Sequence, residues 1–295
     1  MRETSPRVDA LQVRRNFSRA APHYAAAALI AREINARMLE RLDYVKIEPS
    51  RILDLGCGTG GGFTALGERY RKAALFGADL SEALLREGRG QQSRLRWLLP
   101  FLRVNTAPLS VADSQSLPFK SGSFGLLWSN LMLHWAPDPQ LALREMHRVL
   151  EVGGLLMFST LGPDTLKELR ACFSDGNEHT LSFVDMHDYG DMLLASGFAD
   201  PVMDSETLTV TYSDIDELFR DLQQNGATNA SPGRRRGLMG SHEWSRVREA
   251  YERFRQEGRL PATLEIVYGH AWKAAPRVTE DGRSIIRFSP GGCAQ

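Results

Sequence analysis

The chain has 295 residues, with Lys+Arg and Asp+Glu both at 36, so its formal charge is zero. That balance argues against bulk electrostatic binding of nucleic acid, and no run approaches the roughly 20 apolar residues of a membrane span. Cys57, Cys172 and Cys293 are few and far apart, which fits a reducing compartment without a disulfide framework and sets a cytoplasmic location as the expectation. Arg2, Arg7, Arg14, Arg15 and Arg19 crowd the beginning, but Glu3 and Asp9 dilute them and no apolar signal core accompanies them, so no targeting segment is expected.

Residues 10–44 carry a helical pattern, with Leu29, Ile30, Ile34, Met38 and Leu42 on one face. Pro22 predicts a break around Ala20–Tyr24. Arg51–Leu55 reads as the first strand and Ala74–Asp79 as the second. Ser81 is placed to cap a helix over Glu82–Gly88. The basic-apolar stretch Arg94–Val104 has no clear assignment. A third strand is expected at Leu109–Ala112 and a fourth, nearly all apolar, at Phe124–Asn130. An amphipathic helix follows over Asp138–Val152, with Gly153–Gly154 as its cap, and then a fifth strand at Leu155–Thr160. Strand–helix alternation over 51–160 predicts a doubly wound α/β sheet.

Beyond 160 the texture changes. Helices are expected at Pro163–Phe173, Val184–Ser196, Asp214–Asn225 and His242–Gln256, and strands at Glu206–Tyr212 and Leu264–Ala271. Ile285–Phe288 is a candidate strand within a tail, 275–295, expected to be loose. The whole reads as one domain over 1–274: a core at 45–160, N-terminal helices at 10–44, and helical covers at 161–200 and 214–257.

The chain is organised around Ile52–Gly62, ILDLGCGTGGG, where five glycines occupy the seven positions 56 to 62. An apolar strand runs into a turn whose backbone must approach a ligand closely, with a helix N-terminus behind it. Gly56, Gly58 and Gly61 satisfy the G-x-G-x-x-G of a dinucleotide fold. Asp54, Gly56, Gly58 and Gly60 equally satisfy the acid-x-G-x-G-x-G of S-adenosylmethionine enzymes. The acids separate the two. Asp54 would repel a pyrophosphate and attract an ammonium and a sulfonium. Asp79 ends the second strand, where a ribose acceptor belongs, and Asp113 follows the third, where an acid can accept from an adenine amino group. S-adenosylmethionine is therefore the expected cofactor.

The successive segments LDLGCGTG, GADLS, VADSQSLPF, FGLLWSNLMLHWAPD and REMHRVLEVGG resemble the motifs of class I S-adenosylmethionine-dependent methyltransferases. Four others, NFSRAAPHY, FSTLGPDTLKELR, the NGATN segment and GRLPATLEIVYGHAWK, resemble the malonyl-acyl carrier protein O-methyltransferases of biotin synthesis. They are shared in part with a mitochondrial complex I assembly factor of the same fold, a protein-arginine hydroxylase. The resemblance spans about residues 12 to 274. It implies an α/β, Rossmann-like seven-stranded sheet with an N-terminal helical flap and helical insertions before the last strands. It implies a carboxyl methyltransferase acting on malonyl-acyl carrier protein or malonyl-CoA; the alternatives are the hydroxylase-like protein and a non-catalytic S-adenosylmethionine-binding regulator. By the same resemblance Asp54, Gly56, Gly58 and Gly60 meet the methionine end of the cofactor, Asp79 the ribose, and Asp113 and Ser114 the adenine, while Asn130 floors the pocket and Leu80 is a further cofactor contact. Many relatives carry Asp after the tyrosine of the N-terminal motif; here Ala25 follows Tyr24.

A carboxylate acceptor is already ionised at neutral pH and needs no general base. The absence of an acid–base dyad or a nucleophile motif is compatible with that chemistry. Tyr24 is the expected catalytic residue, closing the pocket beside the methyl group. His23, His134 and Trp135 are candidate acceptor contacts, and Arg19 or Arg170 a candidate cation for the acceptor carboxylate. Trp128 reads as core. His179, Asp185, His187 and Asp188 lack metal-ligand spacing, and no metal site is expected. Arg234, Arg235 and Arg236 read as a solvated loop or as a dock for an acidic carrier.

Overall fold

A computed structural model describes residues 8–98 and 107–275; for 92–98 it describes the backbone alone. In chain order the helices are α1 Ala10–Ala27, α2 Leu29–Arg41, α3 Phe63–Arg69, α4 Glu82–Leu98, α5 Pro139–Val149, α6 Lys167–Arg170, α7 Met186–Ala195, α8 Ile215–Gln224 and α9 Ser241–Glu252. The strands are β1 Arg51–Leu55, β2 Ala74–Asp79, β3 Leu109–Val111, β4 Phe124–Ser129, β5 Leu150–Leu161, β6 Ala199–Tyr212 and β7 Leu260–Trp272. They form one seven-stranded sheet in the order β3-β2-β1-β4-β5-β7-β6. β7 runs antiparallel to both β5 and β6, and the other pairings are parallel. The reversed final hairpin is the departure that a second mononucleotide half would not make.

Period-two alternation assigns the two faces. Leu53 and Leu55 pack into one core with Leu127, Leu143 and Met146 under α5 and α7. Ile52 packs into the other with Ile34, Met38, Leu66 and Trp128 under α2 and α3. Trp128 is fully buried and donates its Nε1–H to Asn35 Oδ1 at 3.0 Å, as a core tryptophan should. A third cluster fastens α8 and α9 to the open ends of β6 and β7 through Tyr212, Leu218, Val247 and Tyr251.

Helix α1 does not break at Ala20–Tyr24; it runs through Pro22 to Ala27. A proline there costs about 3 kcal/mol in an isolated helix. Tertiary packing offsets it: Val13, Asn16, Ala20 and Ala21 are buried, and the Asn16 amide donates to Thr228 O at 2.8 Å. Gly226, at φ +69°, lies where a Cβ would stand 2.6 Å from the Phe17 ring, so the NGATN segment seats directly on α1. The break falls at Ala28, whose ψ of 46° leaves the helical region. Arg32 spans that break by donating from Nη1 to Ala25 O at 2.6 Å.

Four other expectations shift for identifiable reasons. Helix α4 continues past Gly88. That glycine is a contact point, since a Cβ would stand 2.7 Å from the Thr59 carbonyl of the glycine turn. Ser81 does cap α4, accepting from Leu84 N at 3.4 Å. Helix α5, capped by Asp138 through Gln140 N and Leu141 N, ends at Val149 because β5 begins at once. Gly153, at φ +81°, turns the backbone inside that strand rather than capping the helix. The expected helix at Pro163–Phe173 shrinks to α6, because β7 claims the preceding backbone: Leu166 N donates to Thr263 O at 2.7 Å and Asp164 N to Glu265 Oε2 at 2.8 Å. Strands β6 and β7 are longer than their alternation suggested, pairing from Ala199↔Trp272 to Tyr212↔Leu260. Part of Arg94–Val104 belongs to α4; its remainder and Ile285–Phe288 lie outside the described residues.

Candidate active site

The glycine turn lies at the carboxyl ends of β1 and β2. Gly56, Gly58 and Gly60 all have positive φ, at 78°, 55° and 86°, which an L side chain adopts at a cost. Asp79 fixes the turn: its Oδ2 accepts from Gly58 N at 2.9 Å and its Oδ1 from Ser81 N at 2.7 Å. Across the turn, Asn130 ties the end of β4 to α2, donating from Nδ2 to Ala31 O at 2.7 Å and accepting from Ser159 Oγ at 2.8 Å. Leu131 follows with φ +51°. A non-glycine residue in that region is a local strain of the kind that collects at functional sites.

Three cavities meet at Tyr24. The first, about 670 Å³, is bounded by Asp79, Leu80, Asp113 and Ser114, with Val13, Phe17, Leu84 and Ala112 as its apolar walls. Gly56 and Asn130 border this cavity and the next. The second, about 800 Å³, runs along the glycine turn past Asp54, Cys57, Thr59, Gly61 and Gly62 to Arg32 and Asn35 on α2. The third, about 1540 Å³, lies between the sheet and the α8–α9 cover. Its walls are mostly apolar and include Leu131, His134, Trp135, Phe183, Leu218 and Trp244.

Electrostatics set the second cavity apart. Asp54 is 4% exposed and takes no hydrogen bond from any described residue. Burial, and then the neighbouring Asp79 carboxylate, push its carboxyl up to about 7. Asp79 is also raised, by burial, against the pull of its two backbone donors. Two adjacent acids, neither ion-paired with a described cation, call for a cationic ligand. Tyr24 responds in the opposite sense. Burial, then Asp79 and Asp54, hold its phenol well above the usual range, so it stays protonated and can only donate or accept a hydrogen bond. Burial lowers His134 to about 3. The neutral ring lies 3.3 Å from Thr160 Oγ1, which is 3.4 Å from the Tyr189 hydroxyl. Trp135 stacks edge-on against Phe17 at 5.3 Å, closing the flap onto the sheet.

Asp54, Gly56, Asp79, Leu80, Asp113, Ser114, Asn130, Tyr24, His134 and Trp135 thus converge. Gly58 and Gly60 shape the turn, and a Cβ on Gly58 would stand 3.2 Å from Tyr24 Cε1. Arg19, His23 and Arg170 are exposed and border none of the three cavities. Arg170 instead donates to Pro163 O at 2.6 Å. Arg234 and Arg235 are held by Asp9 and by Glu243 respectively. His179 and His187 each pair with one aspartate, Asp175 and Asp185, and no group of three potential metal ligands occurs among the described residues. Sequence reasoning missed Arg32 and Asn35. Their i, i+3 spacing puts both on one strip of α2, but only the fold shows that this strip faces the glycine turn.

A sheet of this strand order, carrying acids at three successive strand ends around a tyrosine-closed pocket, defines an enzyme of the class I methyltransferase fold. The family model described as a methyltransferase domain matches residues 53–158. A putative methyltransferase from Bacillus halodurans superposes with a TM-score of 0.55 at 15% identity, covering 82% of this chain and 100% of that one. A possible histamine N-methyltransferase from Thermotoga maritima gives 0.51 at 16%, covering 88% and 99%. The malonyl-[acyl-carrier protein] O-methyltransferase of Gallionella capsiferriformans is 48% identical over 96% of this chain and 97% of its own length. That of Laribacter hongkongensis is 49% identical over 96% of each. The chain belongs to the malonyl-[acyl-carrier protein] O-methyltransferase family.

Proposed function

We propose that the protein transfers the methyl group of S-adenosylmethionine to the free carboxylate of a malonyl thioester carried by acyl carrier protein, giving the methyl ester that opens pimeloyl synthesis for biotin. The observation that carries this reading is Asp54, a buried carboxyl without a hydrogen-bond partner among the described residues, in a cavity next to the one that Asp79 borders. S-adenosylmethionine supplies a positively charged sulfonium whose methyl carbon is open to attack. Asp54 faces the ammonium of the donor, Asp79 its ribose hydroxyls, and Asp113 with Ser114 its adenine, between the apolar walls of Leu80, Leu84 and Val13. Asn130, locked by Ala31 and Ser159, floors the pocket.

The acceptor oxygen forms its bond to the methyl carbon as the carbon–sulfur bond breaks and its electron pair stays on sulfur; no proton moves. The protein therefore orients and desolvates. Tyr24, protonated and shared by all three cavities, is placed to donate a hydrogen bond at the reacting carboxylate. His134 and Trp135 line the acceptor side. The large apolar cavity leads away from Tyr24 and gives room to the flexible thioester arm of a carrier. The two relatives' names specify the carrier protein, and the carrier-bound thioester is the acceptor in this reading. No helix among the described residues is long and apolar enough to cross a membrane, and a cytoplasmic enzyme is part of the same proposal.

Methyl-labelled S-adenosylmethionine should place a base-labile label on malonyl-carrier and none on acetyl-carrier, which has no free carboxylate. Label on both acyl groups, on a polypeptide side chain, or on neither would overturn the proposal.

A further inference from the structure

Among the described residues, two charged side chains border the cavity along the glycine turn, and they have opposite signs. Asp54 lies buried at its inner wall. Arg32, on α2, lies at its outer rim and is exposed. Between them stand only neutral groups, including Asn35, Thr59 and Asn130. An acid within and a cation at the mouth match a zwitterionic α-amino acid: its ammonium fits the one and its carboxylate the other. Arg32 is available for this. It has no ion pair with any described carboxylate, whereas its neighbour Arg37 on the same helix is taken by Glu33 and Glu206. Its one side-chain hydrogen bond among the described residues, from Nη1 to Ala25 O, leaves most of the five guanidinium donors free, and a planar fork suits a carboxylate.

We infer that Arg32 binds the α-carboxylate of the amino-acid end of S-adenosylmethionine. This rests on the donor assignment made above and extends it to a residue of α2. The same contact has a structural consequence. Arg32 grips Ala25 O across the Ala28 break, one residue beyond Tyr24. A carboxylate held by the other arm of the guanidinium fastens the end of α1, and with it Tyr24, over the donor. The flap is thereby positioned by the ligand's amino-acid end rather than by its adenosine.

The test compares two ligands by calorimetric titration. S-adenosylmethionine has the amino-acid end; 5′-methylthioadenosine keeps the adenosine and sulfur but lacks it. Arg32→Ala should weaken S-adenosylmethionine binding by about tenfold or more, the scale of one charge-assisted bidentate contact, and leave 5′-methylthioadenosine within about twofold. Arg32→Lys should recover part of the loss, since it restores the charge without the fork. Unchanged 5′-methylthioadenosine binding also shows that the variant is folded. Equal losses for both ligands, or no loss for either, overturn the assignment of Arg32 while leaving the donor site standing. Failure of the wild-type protein to bind either ligand overturns both.

Discussion

Asp54→Asn should make the ligand-free protein more stable at pH 8 and at the same time deprive it of S-adenosylmethionine binding. The free carboxyl is raised from an ordinary 3.8 to about 7 by burial and by Asp79. Between those values the folded protein holds a proton that the unfolded chain has released, so stability falls as pH rises from about 4 to about 7. A three-unit shift corresponds to about 4 kcal/mol at its upper limit. Asparagine fills the same space and never ionises. The variant should therefore melt several degrees above the wild type at pH 8, with the gap narrowing by pH 5 and closing near pH 4, where the unfolded carboxyl is protonated too. Its affinity for S-adenosylmethionine at pH 8 should drop about 100-fold, a loss of roughly 2–3 kcal/mol for a desolvated charge partner. Melting curves at the two pH values, with and without ligand, check both halves. A variant less stable than the wild type at pH 8 would mean that Asp54 is satisfied inside the fold.

Gly56→Ala should cost both the fold and the site. The position has φ +78°, and a Cβ there would stand 2.4 Å from Met132 Cγ and 2.5 Å from Met132 Cβ. The left-handed backbone costs about 1–2 kcal/mol for a non-glycine residue, and forced overpacking about 1–3 more. A loss of roughly 2–5 kcal/mol in unfolding free energy, read from denaturant curves, is expected, with donor binding lost as the turn shifts away from Ala78 O, to which Gly56 N donates at 2.8 Å. Shortening the neighbour should not rescue it, because Met132→Ala keeps the Cβ that collides. Recovery in that double variant would show that the clash is confined to the methionine side chain.

These two residues illustrate which parts of the molecule were legible beforehand. Turn and acids sit in one short segment plus two strand ends, and strand periodicity alone places them at one sheet edge. Asp54, Gly56, Asp79 and Asp113 were therefore readable from local pattern. The reversed strands β6 and β7 were readable as alternation, but not their full length, because their ends are held by the cover and by each other. The break in the N-terminal helices was misplaced. Proline is a strong local signal, yet the contacts of Asn16 and Phe17 with the segment around Gly226 outweigh it. The same long-range dependence hid the second cavity's rim. Nothing local marks Arg32 as different from Arg37; α2 must first be laid across the turn. Arg19 and Arg170 were proposed as acceptor cations from position alone, and both are exposed away from the cavities.

The pH dependence of S-adenosylmethionine affinity in the wild-type protein tests the central claim most directly. If the buried Asp54 carboxyl is the partner of the ligand's ammonium, binding must expel its proton below about pH 7. The dissociation constant should then tighten by up to about tenfold per pH unit from pH 5.5 to pH 7, level off, and weaken again above about pH 8 as the ligand's α-amino group deprotonates. 5′-Methylthioadenosine, without that amino group, should lack the upper limb. An affinity for S-adenosylmethionine that stays flat from pH 5.5 to pH 7 would contradict the account.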